Sequence, residues 1–409
     1  MRILLVNKYW RRFGGVERYV MDARRAFEEL GHEVVPFAMD EEETEPTPYR
    51  RYFVPGVEMR GGSPTGRARA AGRAVAGLAT IDRLRRLLDE VRIDAAHVVH
   101  AYHQLGTTFL HTLHGRGIPI VLSVHDYKLG CPNYRLFDER RNQVCTICLD
   151  RPHAWLWAPA TRACWDSSHL AGAVLSAEAV VSRGWGTYRR CVGATVVLNQ
   201  LQRRAAEAAG IAPDRIHTVP NFHLLGDPPS ESREGHVLFV GRLVPEKGVD
   251  VLIRACAAAG LPLRVVGDGR SRPALEGLAA DLGAEVLFAG ARSPAEVRSE
   301  MERAAALAVP SIWPEVWPFV VLEAWDAGLP VVGADIGGIP EQLGRDRGLL
   351  CPSADVSAWA NMLRQVTRDD PGLGRRLAAA ARAYASAELT EERWVERMRA
   401  VYGTVGVRL

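Results

Sequence analysis

Short apolar runs alternate with longer amphipathic stretches along almost the whole chain. Buried parallel strands occur in sequence as continuous apolar runs rich in β-branched residues, whereas the helices that cover them repeat apolar residues every three to four positions. In the first half, the predicted strands span residues 3–6, 33–37, 95–99, 118–124 and 194–198, the last of these closing the half. A helix is predicted from Gly14-Gly15 to about residue 30, and helix resumes over 171–190.

The alternation starts again in the second half. Each half is therefore predicted to be an α/β domain in which helices cover both faces of a parallel sheet. The predicted strands here span residues 236–240, 263–266, 285–288, 306–310 and 330–333, and the helices span 248–259, 272–283, 294–304 and 319–327. Ligands of such sheets bind at the carboxyl ends of the strands. The glycine-rich turns expected on that edge are Gly14-Gly15, Gly241, Gly267-Asp268-Gly269, Gly290 and Gly337-Gly338.

A length of 409 residues predicts more than one domain, because a single core seldom grows past about 250–300 residues. Turn formers and helix breakers across residues 219–234 indicate the linker. We expect a first domain over 1–215, interrupted by a polar insertion at about 127–168, and a second domain over 216–385.

Residues 386–409 are predicted to form a terminal helix. Thr390 is suited to cap it, with two glutamates in the first turn. Trp394 and Tyr402 are large apolar residues that need a surface to cover, so we expect this helix to pack back on the first domain.

The charge of the chain limits the classes of binding partner that the sequence indicates. With 51 basic and 48 acidic side chains, the net charge of +3 does not indicate a nucleic-acid partner. Residues 50–92, however, hold ten arginines against four acids. This stretch is either a solvated face or a surface that approaches anionic lipid or a phosphate-bearing acceptor.

The sequence predicts a cytoplasmic protein, located there freely or at the inner face of the membrane through residues 50–92. No run of 18 apolar residues indicates a membrane span, and the apolar start is too short for a signal peptide. Seven cysteines, an odd number in a long chain, argue against a secreted disulfide scaffold.

Two glutamates, Glu315 and Glu323, lie on either side of a predicted helix start. Pro318 between them suits a first helical turn, and the N–H groups of Phe319 and Val320 would point out of the helix toward an anion. The arrangement suits a ligand with both phosphates and hydroxyls, such as a nucleotide-sugar. A plain helix start with two surface glutamates is the alternative.

A second cluster follows the strand at 236–240. Gly241 allows a tight turn, and Arg242 and Lys247 place two cations at the same sheet edge, which suits a diphosphate. Surface charges on an ordinary loop are the alternative, although lysine occurs only three times in the chain.

Several motifs occur in the order of a known family. These are Gly-Arg-Leu-Val-Pro-Glu-Lys-Gly at 241–248, Gly-Asp-Gly at 267–269, the Glu315/Glu323 pair with its following segment to 332, Gly-Gly-Val-Glu at 14–17 and His125-Asp126. The chain resembles the retaining nucleotide-sugar glycosyltransferases of family four over nearly its whole length. The resemblance implies the GT-B fold, with two Rossmann-like domains facing a central cleft, the first binding the acceptor and the second the donor.

The resemblance also implies roles at the matching positions. Arg242 and Lys247 would bind the donor diphosphate, with Gly241 forming the turn before them, and Glu323 would bind the ribose hydroxyls. Glu315, with the N–H groups of Phe319 and Val320, would hold the donor sugar. His125 would line the reacting centre, Gly15 would approach the phosphates from the first domain, and the loop around Gly290 would meet the base. Pro318 departs from the glycine of many members and removes one N–H donor, which leaves the donor sugar open.

The predicted reaction is transfer of a sugar from a nucleoside diphosphate, UDP in the first place, to a glycan, lipid-linked or natural-product acceptor with retention of configuration. Two cations and a helix start can stabilise the departing diphosphate, so no cofactor and no divalent metal are needed for catalysis. The alternatives are an epimerase or phosphorylase of the same fold, or a non-catalytic protein that binds nucleotide-sugars.

Four cysteines lie in the polar insertion with the spacing C-x13-C-x2-C-x15-C. A C-x2-C pair with two outlying cysteines can bind a structural zinc ion, and reduced thiols in a loop are the alternative. The residues are Cys131, Cys145, Cys148 and Cys164.

Overall fold

The computed structural model describes residues 1–12, 14–57, 63–226 and 235–409. Part of the linker predicted at 219–234 and part of the basic stretch at 50–92 therefore lie outside the described residues. The chain forms two compact units. The first consists of Met1–Arg141, Cys145–Asn221 and Trp394–Leu409, and the second of Asn142–Val144 and Phe222–Arg393. Each unit contains a six-stranded sheet whose paired strands are parallel, so the predicted α/β class is confirmed.

The first unit is built on alternating strands and helices. Its sheet has the order β10-β9-β6-β5-β1-β2, and the sheet strands β1, β5, β6 and β9 are almost fully buried. The elements before residue 221 are β1 Arg2–Val6, α1 Gly15–Glu29, β2 Glu33–Phe37, β3 Met39–Asp40, β4 Val54–Pro55, α2 Pro64–Val75, α3 Leu78–Glu90, β5 Ala95–Val98, α4 Phe109–Gly115, β6 Ile120–Ser123, β7 Phe137–Asp138, β8 Gln143–Val144, α5 Ile147–Asp150, α6 Ala158–Arg162, α7 His169–Ala179, α8 Thr187–Cys191, β9 Ala194–Val197, α9 Gln200–Ala208 and β10 Ile216–Thr218.

The prediction that the strand at 194–198 closes the first half is wrong. A further strand, β10, pairs with β9 at the edge of the sheet, with Ile216 opposite Thr195. It has three residues, of which Ile216 is the buried one. Such a short edge strand carries no apolar run that a sequence pattern could reveal. The helix expected over 171–190 is also divided, because a π-helical turn at Val180–Gly184 separates α7 from α8.

The second unit has the strand order β13-β12-β11-β14-β15-β16. The chain runs outward from β11 to β13, then returns to the other side of β11 to place β14, so the direction of winding reverses between β11 and β14. Its elements are β11 Val237–Val240, α10 Val249–Ala259, β12 Leu263–Val266, α11 Arg272–Asp281, β13 Val286–Gly290, α12 Pro294–Arg303, β14 Ala306–Val309, α13 Phe319–Asp326, β15 Val331–Ala334, α14 Ile339–Leu343, β16 Leu349–Cys351, α15 Val356–Arg364 and α16 Pro371–Glu388. The last helix of the chain is α17 Glu391–Thr404, whose residues from Trp394 onward belong to the first unit. The sequence pattern missed β16, again a strand of three residues.

The terminal helix α17 begins as its sequence predicts. The Thr390 hydroxyl accepts a hydrogen bond from the backbone N–H of Arg393 at 3.3 Å, so Thr390 caps the helix. Trp394 and Tyr402 are 1% and 0% exposed, and residues from Trp394 onward belong to the first unit.

A buried histidine connects this helix to the sheet of the first unit. His97 lies on β5, and its Nδ1 is 3.0 Å from the Tyr402 hydroxyl. Its Nε2 is 3.2 Å from the Tyr19 hydroxyl and 3.0 Å from the Ser123 hydroxyl. Burial lowers the pKa of His97 to about 3, so its ring is neutral at neutral pH and both nitrogens take part in hydrogen bonds.

Among the described residues, the helices are too short or too polar for any of them to cross a bilayer.

Replacing Tyr402 with phenylalanine tests the bond between α17 and β5. Because Tyr402→Phe leaves a nitrogen of His97 buried without its partner, we expect the free energy of unfolding to fall by about 1–3 kcal/mol. Urea titration monitored by tryptophan fluorescence measures this change. Tyr384→Phe is the matched control, since Tyr384 is half-buried and packs its ring against Arg347. Equal stability of both variants would show that the His97 bond does not hold the helix.

Candidate active site

Two loops meet at the point where the sheet of the second unit reverses its winding. One follows β11 and runs over residues 241–248, and the other follows β14 and runs over residues 310–318. Both leave the carboxyl ends of neighbouring strands, which is where ligands of such sheets bind. The backbone N–H of Ile312 donates to the Glu246 carbonyl at 3.0 Å and joins the loops. An ion pair joins them again, with Lys247 Nζ 2.6 Å from Glu315 Oε1.

Glu315 is a buried carboxylate held by several donors. It is 7% exposed, and besides Lys247 its Oε1 accepts hydrogen bonds from the Ser311 hydroxyl at 2.8 Å and the Trp313 indole N–H at 2.9 Å. Burial by itself raises the pKa of Glu315, but the Lys247 cation and these hydrogen bonds outweigh it and lower the pKa below the ordinary value. The carboxylate is therefore ionised at neutral pH.

Close backbone contacts fix the loops around this ion pair. Gly248 has a φ of +65°, and a Cβ there would lie 2.1 Å from the Pro310 carbonyl oxygen of the neighbouring loop. Gly337 has a φ of +62°, and a Cβ there would lie 2.3 Å from the Glu315 carbonyl oxygen. Gly338 donates its N–H to that same oxygen at 2.7 Å. Only glycine fits at both close approaches, so three loops fix the backbone of Glu315.

The helix after Glu315 begins at Phe319, the first residue of its predicted span. Pro318 was expected in the first helical turn, but it is the N-cap residue of α13, with a φ of −63° and a ψ of 119°. Phe319 and Val320 are the first two helical residues, so their N–H groups belong to the positive end of the helix. Gln342 donates to the Pro318 carbonyl at 3.3 Å. Glu323 lies one turn into the helix and is half-buried.

The remaining donor-site candidates of the second unit share the same sheet edge. Gly241 and Arg242 follow β11 directly, and the Arg242 side chain is exposed. Gly290 ends β13, and its carbonyl accepts the N–H of Gly267 at 2.8 Å. Strand β13 is separated from β11 by β12, so Gly290 lies farther along the edge from the Lys247–Glu315 ion pair.

The candidates of the first unit lie at the corresponding edge of its own sheet. Gly15 is the first residue of α1, which follows β1. His125 follows β6, and its ring centroid is 4.1 Å from that of Tyr19. Burial, and then the neighbouring rings of His100 and His97, lower the pKa of His125 well below its ordinary value. Its imidazole is thus neutral at neutral pH.

Two buried polar groups near His125 were not predicted from the sequence. His100 Nε2 lies 3.1 Å from Asp126 Oδ2. Lys128, 3% exposed at its side chain, pairs with Glu178 and lies 2.9 Å from the Pro132 carbonyl and 3.0 Å from His103 Nε2. The signal was available, because Lys128 is one of only three lysines in the chain and directly follows His125-Asp126-Tyr127.

The four cysteines of the insertion line one small cavity of the first unit. The volume of the cavity is about that of one water molecule. Its lining is completed by Pro132, Asn133, Phe137, Ala158 and Arg162. As the side chains stand, no group of three or more described His, Cys, Asp or Glu residues has the geometry to hold a metal ion. All four cysteines are free thiols.

Known proteins of similar sequence match mainly in parts of the chain. A D-inositol 3-phosphate glycosyltransferase of Corynebacterium aurimucosum is 40% identical over 149 residues, which are 33% of this chain and 35% of that protein. A protein of Corynebacterium glutamicum, named as a GDP-mannose-dependent monoacylated α-(1-6)-phosphatidylinositol monomannoside mannosyltransferase, is 33% identical over 38% of this chain and 44% of its own length. The chain thus matches less than half of either relative.

Solved structures match over the whole length at low identity. The Anabaena protein HepE in complex with UDP and glucose superposes with a TM-score of 0.67 and 17% identity, covering 99% of this chain and 100% of that one. Sucrose-phosphate synthase from Thermosynechococcus elongatus superposes with a TM-score of 0.69 and 18% identity, covering 99% of both chains. At these identities the likeness shows the fold, which is GT-B.

Two family models divide the chain between them. Residues 226–384 match the model described as Glycosyl transferases group 1. Residues 13–223, more than half of the chain, match the model described as Glycosyltransferase Family 4. The chain therefore belongs to glycosyltransferase family 4.

Proposed function

We propose that this glycosyltransferase transfers a sugar from a nucleoside diphosphate to a hydroxyl acceptor bound by the first unit, with retention of configuration and without a catalytic metal ion. The observation that carries the proposal is the partly buried Lys247–Glu315 ion pair at the winding reversal of the second unit. It places a cation and a hydroxyl-binding carboxylate side by side, as a donor with both diphosphate and sugar requires.

The diphosphate end of the donor is matched by positive charge. Lys247 supplies an ammonium group, the exposed guanidinium of Arg242 follows the same strand, and the start of α13 presents backbone N–H groups. As the bond to the sugar breaks, negative charge grows on the departing diphosphate. Cations fixed in advance stabilise that charge without reorganising, and this stabilisation is the role we assign to Lys247 and Arg242.

The ion pair also provides a way to couple diphosphate binding to sugar binding. A diphosphate that attracts Lys247 would weaken its contact with Glu315, and a buried carboxylate that loses a partner is costly. A sugar hydroxyl that donates to Glu315 replaces the lost contact. The complete donor therefore binds more favourably than the separate effects of its two ends would suggest.

The neutral ring of His125 is suited to a hydrogen bond with the donor sugar. An imidazole whose pKa lies well below its ordinary value does not take up a proton at neutral pH, so we assign His125 a positioning contact and not a general-base role. Gly15, the first residue of α1, is our candidate in the first unit for a backbone contact with the donor.

The donor nucleotide is proposed as UDP. The HepE structure contains UDP, whereas the mannosyltransferase relative is named for GDP-mannose, so both bases occur among similar proteins. We place the base near Gly290 and the ribose at Glu323. The named relatives act on inositol phosphate and on a phosphatidylinositol mannoside, and we propose a hydroxyl acceptor that is a glycan, a lipid-linked sugar or a natural product.

The basic stretch at 50–92 offers less free charge than its composition suggests. Arg50 pairs with Asp40 at 2.7 Å, and Arg51 pairs with Glu90 at 2.9 Å. Arg73 is 7% exposed and donates to the Pro55 carbonyl. These contacts favour the solvated-face interpretation for this part of the stretch. Contact with anionic lipid remains a proposal for its exposed arginines.

Removing the lysine tests the assignment of the ion pair. Because Lys247→Ala removes the cation nearest to the departing diphosphate, we expect kcat/KM for sugar transfer to fall by about 100-fold or more. Steady-state transfer from a UDP-sugar measures this change. Arg376→Ala, which removes an exposed cation paired with Asp370, is the matched control and should leave the rate unchanged.

The double variant separates catalysis from folding. Lys247→Met leaves the Glu315 carboxylate buried without its cation, and adding Glu315→Gln removes the negative charge of the carboxylate as well. The double variant should therefore be more stable than Lys247→Met alone. We expect both variants to be inactive. Full transfer activity of Lys247→Ala would refute the proposed function.

Glu323 is tested through the ribose. Two hydrogen bonds from ribose hydroxyls to a carboxylate are worth a few kcal/mol, so Glu323→Gln should raise the Kd for UDP by about tenfold or more. The same variant should lose discrimination between UDP and its deoxyribose analogues, which calorimetry can measure. Glu276→Gln, a partly exposed carboxylate of α11, is the control. If the variant still distinguished UDP from its deoxyribose analogues as well as the unchanged protein does, Glu323 would not be at the ribose. Parallel titrations with GDP show which nucleotide base the protein prefers.

Catalysis without a metal ion has a direct test. If Lys247 and Arg242 neutralise the diphosphate, transfer rates should agree within about twofold with and without added Mg²⁺ or Mn²⁺. A strict requirement for either ion would show that the cations of the protein are insufficient.

A further inference from the structure

The polar insertion of the first unit combines a small hydrophobic cluster with separately buried apolar side chains such as Leu136, Phe137 and Trp165. A satellite cluster at its centre consists of the buried residues Cys148, Ala154 and Ala158, with Ile147 and Trp155 packed against them. The helices α5 and α6 have four and five residues. Segments of this size without a sizeable core are usually held by cross-links or metal ions.

The backbone of this insertion is unusually strained. Nine non-glycine residues of the described chain have positive φ, and seven of them lie between positions 134 and 167. Each such conformation costs about 1 kcal/mol or more and persists only where the surroundings impose it. The seven are Tyr134, Leu136, Asn142, His153, Ala163, Asp166 and Ser167. Polar contacts hold part of this path, as where Asp138 pairs with Arg141 and Arg162, and an interaction between its distant parts would stabilise the rest.

The cysteines lie where such an interaction is needed. Cys131 and Cys164 come from the two ends of the insertion and Cys145 and Cys148 from its middle, yet all four line the same cavity. Three of them are buried and Cys145 is half-buried. The cavity has room for a guest of about the size of one water molecule, which suits a single ion better than an organic ligand.

We propose that Cys131, Cys145, Cys148 and Cys164 bind one zinc ion as four thiolates and that this ion holds the insertion in its folded path. Four thiolates are a common ligand set of structural zinc, and tetrahedral coordination closes the site to other ligands. The sulfur atoms release their protons to solvent on binding, and no oxidation or reduction takes place.

The surroundings of the cavity are suited to the charge of such a site. One zinc ion with four thiolates has a net charge of −2, which needs compensation when it is buried. Arg162 lines the cavity, and Arg183 lies close enough to interact electrostatically with Cys148 and Cys131. The backbone N–H groups of Leu136 and Asn133 form hydrogen bonds to the Cys131 sulfur, as partners outside the ligand shell do at metal sites.

Ion binding requires the cysteine side chains to rotate. The thiols as they stand do not have the geometry to hold a metal ion, and Cys131 Sγ is 2.9 Å from Asn133 Oδ1. Rotation about χ1 moves a sulfur atom between staggered positions without moving the backbone. Turning the four sulfur atoms toward the shared cavity would bring them together.

Metal analysis of the purified full-length chain tests the proposal. We expect one zinc ion per chain by inductively coupled plasma mass spectrometry. Cys148→Ser should lower that content at least about tenfold, because three thiolates and a hydroxyl bind zinc poorly. Cys145→His should keep the ion, since three cysteines and one histidine are also a zinc ligand set. Cys351→Ser, at a buried cysteine of the second unit, is the control and should keep full zinc content.

Two further measurements distinguish loss of the metal site from loss of folding. Cobalt substituted into the intact chain should show the visible bands of tetrahedral thiolate coordination, and a chelator should expose four additional reactive thiols and lower the midpoint of thermal unfolding. An intact, folded chain that contains no zinc after growth with zinc would overturn the proposal. Equimolar iron and sulfide, or disulfides among these four cysteines in the native chain, would overturn it as well.

Discussion

A buried carboxylate, Glu315, sets the main constraint on the second unit. A charge taken out of water is unstable unless cations and hydrogen-bond donors surround it, so its neighbours are fixed by its needs. Lys247, the Ser311 hydroxyl and the Trp313 indole all converge on one of its oxygens. Because Lys247 comes from a different strand end, this single carboxylate fixes the relation between two loops.

The same constraint connects structure to chemistry. If a diphosphate draws Lys247 away, the ionised and buried Glu315 carboxylate needs another partner, and a sugar hydroxyl can supply it. A surface glutamate is solvated by water and needs no such partner. The winding reversal of the sheet makes the meeting of loops possible, and the glycines at 248 and 337 make it close. We therefore infer that the proposed donor site depends on two features, the winding reversal of this sheet and the buried charge of Glu315.

The first unit also contains a buried polar residue that needs hydrogen-bond partners, but this residue and its partners are neutral. His97 is buried and uncharged, and its two nitrogens reach Tyr402 of the last helix on one side and Tyr19 and Ser123 on the other. Tyr19 in turn lies against His125. Contacts between residues far apart in sequence thus lead from Tyr402 through His97 and Tyr19 to His125.

Sequence by itself determined the fold class, the order of most strands and the family. Buried strands of four residues such as β11 and β14 carry apolar runs that burial on both faces explains, and the motif at 241–248 is specific because glycine and two cations are needed together. It did not reveal β10 and β16, because three residues are too few to show a period. Only the tertiary structure decided that Lys247 binds Glu315, that Lys128 is buried against Glu178 and that four cysteines share one cavity. Each of these facts depends on distances between residues far apart in the chain, and those distances are set by packing, on which residue types and local spacing carry little information.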